Sequence, residues 1–138
     1  MFEKLLVAID NSDTTERVIA AAKELAKSTN AEVWVLHLRE REVLGRTKGD
    51  AREDKDDALD LVNRTVTDLQ SAGVNAHGQV RETLFGQAAK EIVADADEVD
   101  AGVILMGTRG RSDLAGLVLG SVAHKVINLS SRPVLVVR

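Results

Sequence analysis

Five short runs of β-branched and aliphatic residues recur along this chain of 138 residues, and segments with helical spacing separate them. The runs predict strands at residues 4–9, 31–38, 74–81, 103–106 and 134–137. Strands that alternate with helices indicate β-α-β units, in which each helix returns the chain to the same end of a sheet. We therefore predict an α/β fold with a single doubly wound, five-stranded parallel sheet of order 3-2-1-4-5 and helices on both faces.

The length of the chain predicts one domain over residues 1–138. The absence of cysteine excludes disulfides, thiolate metal sites and a cysteine nucleophile. A formal net charge of −4 and few aromatic residues argue against a nucleic-acid partner. Because no apolar run is long enough for a signal peptide or a membrane span, we expect a cytoplasmic protein with no membrane partner.

Capping residues predict where the helices begin. Asn11, Ser12 and Asp13 are expected to cap the first helix, and Thr83 is expected to cap the third. The buried face of that third helix is then predicted to begin at Phe85.

The segment 39–57 is mostly charged, with both signs mixed, and is predicted to be solvated and mobile in its first half. Its second half merges into the second helix, which is expected to end at Gly73. The apolar stripe of this helix is predicted to consist of Leu59, Val62, Val66 and Leu69. A similar stripe in the last helix is predicted at Val122, Val126 and Leu129.

A sheet of this kind binds ligands beyond the carboxyl ends of its strands, where the winding reverses. This point lies between the first strand, which ends at Asp10, and the fourth, which ends at Gly107. Asp10 is a candidate acceptor for ribose hydroxyls or a neighbour of a phosphate-bound divalent ion. Its alternative role is to cap the first helix.

Glycines are spaced as in a phosphate-binding loop after the fourth strand. The sequence Gly107-Thr108-Arg109-Gly110 is followed, after nine further residues, by Gly120-Ser121 at the predicted start of the last helix. Unpaired N–H groups at a helix start attract phosphate, and Arg109 and Arg111 add positive charge. This pattern predicts a nucleotide site, although an ordinary helix cap at Gly120-Ser121 is the alternative.

Other catalytic and cofactor motifs do not occur. The P-loop, the dinucleotide-binding glycine fingerprint and the Gly-x-Ser-x-Gly hydrolase turn are all absent from the sequence. His37, His77 and His124 are too dispersed to predict a metal site, and we interpret them as structural or solvated. No pair of residues is assigned as nucleophile and general base.

Several of these segments together resemble the universal stress protein family. They are Asp10, His37-Leu38, 106–110, 120–123 and 132–137, and the resemblance covers essentially the whole chain. The spacing Gly-x2-Gly-x9-Gly-Ser is similar to that of the ATP-binding branch. The resemblance implies an ATP-binding stress-response or signalling sensor that uses ATP with Mg²⁺, and it leaves slow ATP hydrolysis open.

The resemblance also implies the residues of the nucleotide site. It implies Ala8, Ile9 and Asp10 along adenosine, Leu38 at adenine, Met106 and Gly107 along the nucleotide, and Gly110, Gly120, Ser121, Val122 and Ala123 around phosphate. The family often has proline where this chain has Ala8, and a Gly-Ser or Ser-containing turn where this chain reads Asp10-Asn11-Ser12. These departures affect the ribose end and leave the phosphate loop intact.

The resemblance further implies a homodimer. The last strand, Val134 to Val137, is apolar on both faces although it is predicted at a sheet edge, which invites pairing. Coverage by the preceding helix and the loop from Thr108 is the alternative.

Two other function classes stay open, a nucleotide-processing enzyme (an ATPase or a nucleotidyl transferase) and a nucleotide-free interaction module. The glycine loop argues against the module.

Overall fold

The computed structural model of the chain describes residues 1–41, 54–108 and 119–138. Strands and helices alternate along these residues. The strands are β1 (Lys4–Ile9), β2 (Glu32–Arg41), β3 (Ala76–Leu84), β4 (Val103–Gly107) and β5 (Val134–Val137). The helices are α1 (Thr15–Thr29), α2 (Lys55–Ser71), α3 (Ala88–Val99) and α4 (Ser121–Leu129).

The five strands form one sheet in the order β3-β2-β1-β4-β5, and all neighbours are parallel. This confirms the predicted fold class and strand order. β1 pairs with β2 on one side and with β4 on the other, so the winding reverses beside β1. Ligands of such sheets bind at the carboxyl end of the strands at this point.

Two aliphatic cores cover the two faces of the sheet. α1 and α2 bury Val18, Ala22 and Val62 against one face, while α3 and α4 bury Ile92 and Val126 against the other. Alternate residues of each strand point to opposite faces. β1, β2, β4 and β5 therefore contribute to both cores, whereas β3 contributes apolar side chains only to the α1/α2 side. None of the helices in the described ranges is long and apolar enough to cross a membrane.

Strands β2 and β3 are longer than predicted, and this corrects two expectations. Thr83 does not cap a helix, because it lies in β3, is buried, and pairs in register with Glu40. Arg39 belongs to β2 rather than to a solvated segment, since it is 8% exposed and its Nη1 atom lies 2.7 Å from Oε1 of Glu82. Residues 42–53 of the predicted charged segment lie outside the described residues.

Helix boundaries and faces also differ from the prediction. α1 begins after Thr14, which occupies the N-cap position, rather than at Asn11, Ser12 or Asp13. α3 begins at Ala88, and Phe85 lies in the preceding turn with 53% of its surface exposed. Leu59 and Leu129 are exposed, because the buried faces of their helices are shifted. Those faces are Ala58, Val62, Thr65 and Leu69 in α2, and Ala123 and Val126 in α4.

Two other predictions of local structure are confirmed. Gly73 follows the end of α2 with φ at +85°, a conformation that favours glycine after a helix. Gly120 and Ser121 open the last helix as predicted, with Gly120 in the N-cap position.

Candidate functional site

The ends of β1 and β4 bring Asp10 and Gly107 to the same edge of the sheet. These strands are neighbours, with Val7 of β1 in register with Leu105 of β4. Asp10 follows the last residue of β1, and Gly107 is the last residue of β4. The structure therefore gathers two residues that are nearly a hundred positions apart in sequence at the point where ligands of this fold bind.

The Asp10 carboxylate is held by the turn that leads into α1. Its Oδ1 atom accepts hydrogen bonds from the backbone N–H of Ser12 at 2.8 Å and from the hydroxyl of Thr15 at 3.0 Å. Asp10 is half-buried. Neither donor is an N–H group of the helix itself, so the carboxylate does not act as the predicted alternative, a cap of α1.

The start of α4 is tied to the end of β4. The N–H of Gly120 donates to the carbonyl of Thr108 at 2.5 Å, and the N–H of Thr108 donates to the carbonyl of Val137 at 2.9 Å. Gly120 has φ −70° and ψ 162°, so positive φ is not the reason for a glycine there. Gly120 is buried.

The first turn of α4 presents backbone N–H groups that have no carbonyl partner within the helix. The first intrahelical bond runs from the N–H of His124 to the carbonyl of Gly120 at 3.0 Å, so the N–H groups of Ser121, Val122 and Ala123 precede it. No side chain among the described residues caps this end. Such an end binds anions through free N–H groups and the helix dipole.

The remaining expected site residues fall on two faces. Ala8, Leu38, Met106 and Ala123 belong to the core on the α3/α4 side of the sheet. Ile9 points to the α1/α2 side and is 6% exposed, and its carbonyl lies 2.9 Å from Nδ1 of His37. The side chain of Ile9 therefore does not face the α3/α4 side.

Part of the expected phosphate loop is not described by the structure. Arg109 and Gly110, with Arg111 beside them, lie outside the described residues. Of the glycine motif, Gly107, Gly120 and Ser121 are described.

Thr15, which holds Asp10, was not identified from the sequence as a residue of the site. Its partner Asp10 lies in the turn after β1, and the direction of that carboxylate is not visible in the sequence. His37, interpreted from the sequence as structural or solvated, is structural, because it is 3% exposed and its Nδ1 atom lies 2.9 Å from the carbonyl oxygen of Ile9.

A cavity of about 490 Å³ is lined by Asn11, the residue after Asp10. Asp57, Asp60, Asn63 and Arg64 of α2 complete its lining. Two carboxylates against one guanidinium make this cavity a poor site for a phosphate. Among residues 1–41, 54–108 and 119–138, no group of three or more His, Asp or Glu side chains is arranged to hold a metal ion.

The order of the strands defines a doubly wound α/β protein, and α4 begins at the edge of the sheet where proteins of this class bind ligands. The universal stress protein family matches residues 1–138, and the chain belongs to this family. It is 35% identical to the universal stress protein YxiE of Bacillus subtilis, and the alignment covers all of both chains.

Two solved structures from Archaeoglobus fulgidus support the same assignment. One universal stress protein is 32% identical with a TM-score of 0.79, and all of both chains is covered. The universal stress protein solved in complex with dAMP is 30% identical with a TM-score of 0.75, again over all of both chains.

Proposed function

We propose that this protein binds an adenine nucleotide, ATP with Mg²⁺, in the crevice between β1 and β4, and acts as a nucleotide sensor in stress response or signalling. One observation carries the proposal. The Gly120–Thr108 hydrogen bond holds the uncapped start of α4 against the end of β4, while Asp10 ends the neighbouring strand. An anion-binding helix end and a carboxylate thus flank the same crevice.

The phosphate end of this site is assigned to the start of α4. The N–H groups of Ser121, Val122 and Ala123 would donate to phosphate oxygens, and the exposed hydroxyl of Ser121 would add a donor. Gly107, Arg109 and Gly110 complete the proposed phosphate side. Mg²⁺ retains water and phosphate ligands, so it would enter with the triphosphate rather than require a protein cage.

The base and ribose end is assigned to β1 and β2. β1 ends in register with His37, whereas β2 continues beside β3 until Arg41 pairs with Leu84. The backbone of β2 from Leu38 onward therefore extends past β1 at the edge of the crevice. With Ala8, Leu38 and Met106 as apolar walls on the α3/α4 side, this edge suits a flat base that also needs backbone hydrogen bonds.

The relatives support a nucleotide of this class. The Archaeoglobus fulgidus universal stress protein solved with dAMP shares 30% identity with this chain over its whole length. The adenine base and phosphate of that ligand are the two groups for which the crevice has matching surfaces.

The test is calorimetric titration with ATP, ADP and AMP, with and without Mg²⁺, on the wild type and on Ser121→Glu. A carboxylate at the first residue of α4 is favourable for the helix dipole, so the fold is expected to keep its melting temperature. It also repels phosphate, and we expect ATP affinity to fall at least about tenfold. Ser121→Gln, of the same size without charge, is the matched control and should retain most of the affinity.

A wild type that binds none of the three nucleotides would overturn the proposed function. If binding occurs, product analysis over hours separates a sensor from the alternative, a nucleotide-processing enzyme. Retained ATP without formation of ADP favours the sensor, because efficient enzymes turn over many times per second.

We also propose that two copies pair through β5. This strand is at the edge of the sheet, and 42% of the surface of Leu135 is exposed. Ile127 and Leu129 of α4 are exposed as well, at 44% and 51%. An edge strand with exposed aliphatic side chains is a surface on which a second strand pairs readily.

A further inference from the structure

We propose that Thr15 is a positioning residue that orients the Asp10 carboxylate so that its Oδ2 atom accepts hydrogen bonds from the ribose hydroxyls of the nucleotide. The inference rests on the proposed function, since it concerns how the same crevice recognises its ligand. The role of Thr15 follows from the hydrogen bonds of its hydroxyl to Asp10.

The hydroxyl of Thr15 contacts Asp10 in three ways. Oγ1 lies 2.7 Å from the carbonyl oxygen of Asp10 and 3.0 Å from Oδ1, and it accepts from the N–H of Asp10 at 3.3 Å. The single hydroxyl hydrogen is shared between the two oxygens. All three contacts bind the backbone and side chain of one residue, so they set the direction of that side chain.

Among the described residues, only one oxygen of the Asp10 carboxylate, Oδ1, accepts hydrogen bonds. Oδ1 already accepts from the N–H of Ser12 and from Thr15. Within the described parts of the chain, no group donates to Oδ2. A carboxylate oxygen accepts about two hydrogen bonds, so Oδ2 retains the capacity to accept from two neighbouring hydroxyls, which is the arrangement that a ribose offers.

Thr15 is itself held rigidly. It is 7% exposed and is the first residue of α1, whose buried side chains Val18, Ala22 and Ala26 fix the helix against the sheet. Its hydroxyl caps no N–H of the helix, since all the hydrogen-bond partners of Oγ1 belong to Asp10. Because Thr15 is fixed in α1, its hydrogen bond to Asp10 fixes the orientation of the carboxylate relative to this helix. Supporting hydrogen bonds orient binding groups in the same way.

The test compares ATP with 2′,3′-dideoxy-ATP, which lacks both ribose hydroxyls, in calorimetric titrations. In the wild type we expect ATP to bind about tenfold more tightly than the dideoxy analogue. Thr15→Val removes the hydroxyl at nearly constant shape, and we expect it to weaken ATP about tenfold and the analogue less than about twofold. Thr15→Ser restores the hydroxyl and should restore the preference.

Thr65→Val is the matched control. Thr65 is a buried threonine of α2 whose hydroxyl donates to the carbonyl of Leu61 at 2.8 Å and makes no hydrogen bond to Asp10. It should leave both affinities unchanged. If Thr15→Val does not fold, Thr15→Ala takes its place in the same comparison with Thr15→Ser.

The outcomes separate the two proposals. A wild type that binds neither ligand overturns the proposed function and this inference together. A wild type that binds both equally, or a Thr15→Val protein that loses both in equal measure, overturns only the role of Thr15, because a merely structural residue would not change the ratio of the two affinities.

Discussion

Asp95 is a buried carboxylate whose pKa is shifted by its surroundings. It lies on α3 with 1% of its surface exposed, accepts a hydrogen bond from Nε2 of Gln79 at 2.5 Å, and forms an ion pair with Arg81. The Nε atom of Arg81 is close to Oδ1 without an aligned hydrogen bond. Burial therefore outweighs the nearby positive charge, and the pKa of Asp95 is raised above 3.8.

This raised pKa gives Asp95 a defined pH signature. Between pH 3.8 and the higher pKa of the folded state, the folded protein holds a proton that the unfolded chain has released. The free energy of unfolding therefore falls as the pH rises through this window. Asp95→Asn has no such proton, so we expect the wild type to gain stability relative to Asp95→Asn as the pH is lowered from 7 toward 4.

Urea denaturation of both proteins at several pH values measures the difference, and other titrating groups cancel because both proteins share them. A stability difference that is constant with pH, or that moves in favour of Asp95→Asn on acidification, would contradict the prediction. Gln79→Ala, which removes the hydrogen bond that favours ionised Asp95, should widen the effect.

Strand β3 and helix α2 pack closely because of a glycine in the strand. A Cβ atom built at Gly78 would overlap Cγ1 of Val62 and lie 2.7 Å from Cγ2 of Val66, closer than real side chains approach. The strand is therefore matched to the two valines of the helix that covers it. The close packing of Gly78 against these valines depends on both β3 and α2, so the alternating sequence pattern of β3 alone does not predict it.

Gly78→Ala is expected to destabilise the fold by about 1 kcal/mol. Overpacking costs about 1–3 kcal/mol, and the lower backbone entropy of unfolded alanine offsets about 0.5–1 kcal/mol of it. In the double variant with Val62→Ala, the closest overlap is gone, so the loss should be smaller than the sum of the two single losses. Urea titrations of the four proteins measure this coupling, and strictly additive losses would refute it.

The two edges of the sheet differ in how they are protected from other strands. β3 carries charged groups that form ion pairs, with Arg81 near Glu98 and Glu82 near Arg39 and Arg41. β5 has only valines and Leu135 between Pro133 and Arg138. Charged side chains discourage edge-to-edge pairing. Of the two edge strands in the described residues, β3 is therefore protected, and β5 is the edge on which the proposed dimer would form.

Light scattering coupled to size exclusion tests the proposed dimer. We expect twice the mass of one chain for the wild type and the mass of one chain for Leu135→Glu, because a carboxylate on the paired surface must be desolvated. Leu59→Glu, at a residue of α2 with 39% exposure, is the matched control and should remain dimeric. A monomeric wild type would end the proposal, as would a Leu135→Glu protein of unchanged mass.

The order of the strands and the gathering of Asp10 and Gly107 at one edge of the sheet were predictable because they depend on local periodicity. Continuous apolar runs such as those of β1 and β4 indicate buried parallel strands, and the handedness of the crossovers then limits their order. The placement of Asp10, Gly107 and Gly120 at one edge follows from that order. These features need no knowledge of which side chains meet.

What the sequence alone determined is therefore the parallel sheet, its order and the position of the candidate site. The tertiary structure alone decided that Thr83 continues β3, because pairing with an extended β2 overrides its capping preference. It also decided that Ile9 faces away from the α3/α4 side and that Thr15 holds Asp10. The physical reason is that the periodic burial of a strand or helix is set by residues close together in sequence. Strand-pairing partners and hydrogen-bond directions depend instead on residues that only folding brings together.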